Sequence, residues 1–174
     1  DLIKPPIPVF VVSTFNVTPA VETPVLYFCR IYVWFEANAP FILKSKTIET
    51  RKDVSILVNT FYVKVRKDEL LGPIFNRHIA EDKWPEHLEK LTDFWETNLF
   101  GIPKFKGNPS QKHLNVDKNL AYKVDQNHFG KWLEIWFQTI NSLFEGELAD
   151  RAKEASRRIA HAQFMMMWNR RPQV

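Results

Sequence analysis

The sequence predicts an all-α domain over residues 53–168. Four long segments repeat their apolar residues at helical spacing, and glycines, prolines or capping residues stand between those segments. Six of the eleven prolines (Pro5, Pro6, Pro8, Pro19, Pro24 and Pro40) fall before residue 47. The chain therefore divides into an N-terminal extension, residues 1–46, and a helical domain, residues 47–174.

The extension is rich in Val, Phe, Thr and Tyr. "PVFVVSTFNV" and "VLYFCRIYVWF" have strand propensity, but neither alternates cleanly, and the proline spacing argues against a compact unit. The first helix is indicated by Val54, Leu57, Val58, Phe61 and Val65, with Asp53 as its expected N-cap. Gly72-Pro73 interrupts it, and "IFNRHI" reads as a short turn or helix.

Asp82 is the expected cap of the next helix, with Pro85 tolerated in its first turn. Trp84, Leu88, Leu91, Trp95 and Leu99 form one stripe, with His87, Leu91, Phe94 and Asn98 beside it. Gly101 is a natural stop. "GIPKFKGNPSQ" is a loop, and Asn108-Pro109 is placed to start a short helix. Phe129, Trp132, Leu133, Trp136, Ile140 and Phe144 make the third stripe, which Gly146 ends. Leu148, Ala152, Ala155, Ile159, Ala162 and Met166 make the fourth. Helices of this kind pack in layers.

Composition bounds the function. The chain has 174 residues and a net charge of +4, and residues 1–50 hold as many acidic as basic side chains. The surplus on residues 51–174 is too thin for a nucleic-acid binder. Cys29 is the only cysteine, which rules out an intrachain disulfide, a thiolate zinc site and a Cys-x-x-Cys-His haem attachment, and favours a reducing, cytoplasmic setting. No apolar run reaches the ~20 residues that span a bilayer. Val25 to Phe35 is short and broken by Arg30, and no signal-peptide pattern comes after Lys4. Aromatic residues make up 14% of the chain; such an excess serves a large core or one built around a flat apolar ligand.

Read singly, the polar residues in these stripes are ambiguous. His87 on an apolar row reads as a core or boundary histidine, and His113 in "NPSQKHLN" as a solvated loop residue. Tyr62 and Trp132 read as core aromatics whose O–H and N–H need acceptors. Two such donors in one helical core raise the prospect of a polar ligand between them. The alternative is a helical interaction module, with the aromatic stripes as plain core and His113 on the surface.

The ordered blocks of the chain go further. "FYVKVRKDELLGPIFNRHI", "WPEHLEKLTDFWETNLFG", "KFKGNPSQKHL" and "HFGKWLEIWFQTINSLFEGE" succeed one another with short gaps, from roughly Ile48 to Phe164. In this the chain resembles the group III (P-type) truncated haemoglobins, a bacterial family of two-over-two helical globins. The resemblance implies a truncated globin-like two-over-two sandwich preceded by a non-family extension, with haem b as cofactor. It implies that His113, of the "KH" block, is the proximal iron ligand and the one metal-binding residue. Tyr62 and Trp132 would be distal donors and His87 a residue of the distal gate. Phe75, Phe94 and Trp95 would pack on or near the haem, and Lys104, Lys106 or Lys112 would be candidates to meet its propionates. The partners implied are oxygen or another diatomic gas and an electron-donating reductase. The resemblance leaves the role of the bound gas open among oxygen storage or sensing, nitric oxide detoxification and peroxide chemistry. Neutral imidazole keeps the iron's sixth position open, and donors in a dry pocket stabilise a ligand that gains negative charge there.

Overall fold

The computed structural model describes residues 46–172. The strand-like stretches and Cys29 lie outside them, as does the expected extension apart from Lys46. Among the described residues the fold is all-α, the class the sequence predicts.

Helix α1 (Arg51–Lys67) buries Val54, Leu57, Val58, Phe61 and Val65, the stripe expected of it. Its N-cap is Thr50 and not Asp53. Asp53 sits at the third helical position and reaches back to accept the Thr50 N–H at 2.9 Å, while the Thr50 hydroxyl accepts the Asp53 N–H. A carboxylate at this place closes a capping box, which uses two donors that a simple cap leaves orphaned.

Helix α2 (Gly72–His78) begins against the end of α1. A Cβ on Gly72 would lie 2.7 Å from the Arg66 carbonyl oxygen, so only glycine permits this approach. Helix α3 (Trp84–Phe100) comes after a 3-10 turn over Glu81–Lys83. Asp82 lies inside that turn, 3.4 Å from the Lys83 ammonium, and does not cap the helix. Pro85 occupies the first turn of α3, and Gly101 ends it with φ of 72°, both as the sequence indicates.

Helix α4 (Pro109–Asn119) starts as expected. Asn108 accepts the Gln111 N–H at 3.0 Å, and Pro109 fills the first position, where no N–H is needed. Helix α5 (Gln126–Leu143) is capped by Asp125, and helix α6 (Glu147–Asn169) starts from Gly146 at φ of 90°. The stripe of α6 departs from the expected one. Ala149, Ala152, Ala155, Ser156, Ala160 and Met167 are buried, whereas Ala162 is exposed. The expected stripe keeps the helical period, but the buried face lies about one residue further round, through Ala149, Ser156, Ala160 and Met167, and Ala162 falls on the far edge of the stripe.

α1 packs on α3 and α5 on α6, and the two pairs meet through α1 against α5 and α3 against α6. This is the two-over-two sandwich. Trp136, fully buried, sits at its centre. It stacks on Trp95 at 4.5 Å and on Trp132 at 5.7 Å, with Phe61 edge-on at 4.8 Å. α2 packs on α1 and α4 on α6. Lys46 is bonded to this body. Its carbonyl accepts the Glu145 N–H at 3.0 Å, and its ammonium pairs with Asp53. Among the described residues no helix is long and apolar enough to cross a membrane.

Candidate functional site

Four residues that the sequence singles out converge from four helices. Tyr62 comes from α1, Phe75 from α2, His87 from α3 and Trp132 from α5. The Tyr62 ring lies 5.7 Å from Phe75 and 6.0 Å from His87, edge-on to both. Phe61, next in sequence, touches Tyr62 at 4.8 Å and Trp132 at 5.1 Å and so holds the two donors in register.

Tyr62 is 5% exposed. Burial pushes its hydroxyl well above the ordinary phenol value, and an indole N–H from Trp132 opposes that rise in part. The hydroxyl therefore stays protonated. Because Trp132 donates to its oxygen, the Tyr62 proton is free to be given to a ligand. His87 is half-buried. Burial, then the charge of Lys90, holds it below the usual histidine range, so it is neutral near pH 7.

Trp84 completes this cluster and escapes the sequence reading of the site. Its ring lies 5.9 Å from Tyr62 and 5.6 Å from His87, and the Arg66 guanidinium covers it at 4.5 Å. Its indole N–H is buried with no partner among the described residues. The only signal available in the sequence is its place one helical turn before His87.

Phe94 and Trp95 lie apart from these four. Trp95, 2% exposed, is a core residue joined to Trp132 through the Trp136 stack. Phe94 packs on Trp95 at 5.5 Å and on Phe105 at 5.1 Å.

His113 comes from a different helix, α4. Its Nδ1 lies 2.7 Å from the Pro109 carbonyl oxygen. A carbonyl can only accept, so Nδ1 carries the proton and neutral Nε2 presents a lone pair. Burial lowers the pKa of His113, and the bond to Pro109 opposes the shift. The side chain is nevertheless exposed by surface area. Protein atoms crowd the imidazole while part of its surface still meets solvent.

These residues fit a haem. The donor set is one neutral imidazole with a free Nε2, and its other nitrogen is oriented by a carbonyl, as metal-bound histidines require. Among the described residues no three His, Cys, Asp or Glu side chains group as a protein-only metal site. Flat aromatic walls and the orphaned Trp84 N–H suit a planar group with a polar ligand. Of the lysines considered for propionates, Lys104 is committed elsewhere: it donates to the buried Glu96 carboxylate at 3.0 Å.

No family model matches the chain. The curated "Group 3 truncated hemoglobin ctb" of Campylobacter jejuni is 33% identical over 127 residues, 71% of this chain and 95% of that protein. A crystal structure of a group III truncated hemoglobin from Campylobacter jejuni superposes with a TM-score of 0.65 at 28% identity. The match covers 74% of this chain and 99% of that one.

Proposed function

This chain belongs to the group III truncated haemoglobins, and from that premise we propose that it holds one haem b on His113 and binds a diatomic gas beside Tyr62 and Trp132. The observation that carries the reading is the His113 tautomer: Nδ1 is fixed to the Pro109 carbonyl at 2.7 Å, and Nε2 is left as a ligand. The haem supplies a ferrous iron with one position open to a gas.

The chain's own residues do the rest. His113 stays neutral to lower pH than a free histidine, because protonation would charge it in a desolvated place. Tyr62 keeps its proton and offers its O–H as a hydrogen-bond donor where negative charge develops, and the Trp132 N–H, which cannot accept, supports the Tyr62 oxygen. His87 and Phe75 edge the Tyr62 ring and restrict water near the hydroxyl. An electron-donating reductase in a reducing, cytoplasmic setting would maintain the ferrous state. The polar distal side favours chemistry on the bound gas (nitric oxide, peroxide or oxygen) over simple carriage.

The test is the visible spectrum of the purified, haem-reconstituted chain, oxidised and then reduced under carbon monoxide. A Soret band that sharpens and shifts on carbon monoxide supports the reading. A chain that stays colourless after reconstitution contradicts it and leaves a haem-free helical interaction module.

A further inference from the structure

We propose that Arg171 is a positioning residue for His113, acting through Asp117 to fix the helix that carries the iron ligand; the proposal rests on His113 being that ligand. Helix α4 is weakly anchored by apolar contact: its one buried residue is Asp117, 1% exposed. Asp117 stands four residues after His113, one turn along the same face. Arg171, from the tail beyond α6, grips it with both arms of its guanidinium. Nε lies 2.9 Å from one carboxylate oxygen, and a terminal nitrogen lies 2.8 Å from the other. This fork geometry is specific to arginine.

The same guanidinium also donates to the Val124 carbonyl, and it lies 5.0 Å from the Trp168 ring. Arg171 thus holds both ends of the turn that leaves α4. Inside that turn Ala121 and Tyr122 have φ of 51° and 61°, in the left-handed region that side chains avoid. Such residues persist where surrounding contacts over-determine them. The Tyr122 N–H bonds the Asp117 carbonyl at 2.8 Å, and Arg171 supplies a further tie. At the other end of α4 the contact is slight, Gln163 to Ser110 at 3.5 Å. Removing Arg171 leaves a buried carboxylate without its cation, which α4 relieves by moving Asp117 toward water. His113 moves with it.

The test uses the full chain reconstituted with haem, as wild type, Arg171→Gln and Arg171→Lys. Arg158→Gln, which removes an exposed pair with Glu154, serves as the control. Three quantities are read: the rate of haem transfer to excess scavenger apoglobin, the iron–histidine stretching band of the ferrous form, and amide hydrogen exchange in the haem-free chain. Arg171→Gln is expected to lose haem about tenfold faster, in the range seen for partners of metal ligands. It should also shift the iron–histidine band and speed exchange over residues 109–119 while sparing residues 51–67. Arg171→Lys, which keeps the charge and loses the fork, should fall between, and Arg158→Gln should match wild type. If Arg171→Gln does not fold, Arg171→Lys decides. Haem loss and a stretching band equal to wild type in whichever variant folds would overturn the proposal, even with a lowered melting temperature. A wild-type chain that takes up no haem would instead overturn the assignment of His113, and the role of Arg171 with it.

Discussion

Helices α1 and α4 both begin with a side-chain cap, yet they are held in opposite ways. α1 buries Asp53, Val54, Leu57, Val58, Phe61, Tyr62 and Val65 along its 17 residues, and α4 buries Asp117 alone along its 11. Each fully buried apolar side chain on α1 contributes about 1.5–3 kcal/mol, an upper estimate for a compact unfolded chain. α4 relies on an ion pair and caps. The difference separates two jobs. The sandwich that contains α1 carries the stability, and the segment that carries His113 is left adjustable by polar contacts from the tail beyond α6.

Substitutions probe this contrast. The largest stability effect is expected on α1. Leu57 is fully buried, so Leu57→Ala should cost about 2–5 kcal/mol, read by urea unfolding. Next is Asp53. Burial raises its pKa, but the Lys46 ammonium, the Glu49 and Thr50 N–H groups and the Thr50 hydroxyl more than offset that and hold it at about 2. A carboxyl whose folded pKa lies below its unfolded value of 3.8 contributes stability above that pH and loses it as pH falls toward 2. The contribution is about 2 kcal/mol. Asp53→Asn should remove both the stability and that acid limb, and an unchanged limb would show that another carboxylate sets it.

Smaller in free energy are the distal donors. Tyr62→Phe should speed oxygen release about tenfold, since a hydrogen bond to a charged group contributes about 1.5–3 kcal/mol and affinity changes appear mostly in the off-rate, and Trp132→Phe, which removes the N–H that supports the Tyr62 oxygen, should act in the same direction. Carbon monoxide gains less charge, so its release should change less. Equal changes for both gases, measured by stopped flow, would point to a widened pocket instead. The smallest effect is expected on α4, where Leu114 is only half-buried. Leu114→Ala should cost under about 1 kcal/mol, below the fully buried cases. A loss as large as that of Leu57→Ala would erase the difference between the two helices.

Local pattern made the sandwich legible. The stripe of α1, the Gly101 stop and the Asn108-Pro109 start each depend on residues within a turn or two of one another. The expected stripe of α6 had the right period but the wrong face: small residues on several sides of the helix let the buried face fall about one residue round, at Ala149, Ser156 and Ala160, and left Ala162 exposed. Long-range polar pairs left no local trace. Asp117 meets a partner 54 residues away, and Arg51 joins Glu89, Asp93 and Glu96 across to α3. Nothing in the periodicity of either segment selects such partners. The order of the blocks pointed to Tyr62, Phe75 and His87, whose rings the structure brings together. The Trp84 N–H and the Trp132-to-Tyr62 bond depend on how the helices pack, which spacing does not encode.

Haem retention in His113→Ala and His87→Ala beside the wild type, read by absorbance after reconstitution and gel filtration, decides which histidine holds the iron. On the proposed assignment, with Nδ1 tied to Pro109 and Nε2 left as a ligand, His113 would be the iron's one protein partner, so His113→Ala should lose most of its haem. It should also melt at a lower temperature than the loaded wild type, because haem binds the folded state. His87→Ala should keep the Soret band. Haem retained by His113→Ala and lost by His87→Ala would contradict the assignment and reverse the two sides of the pocket.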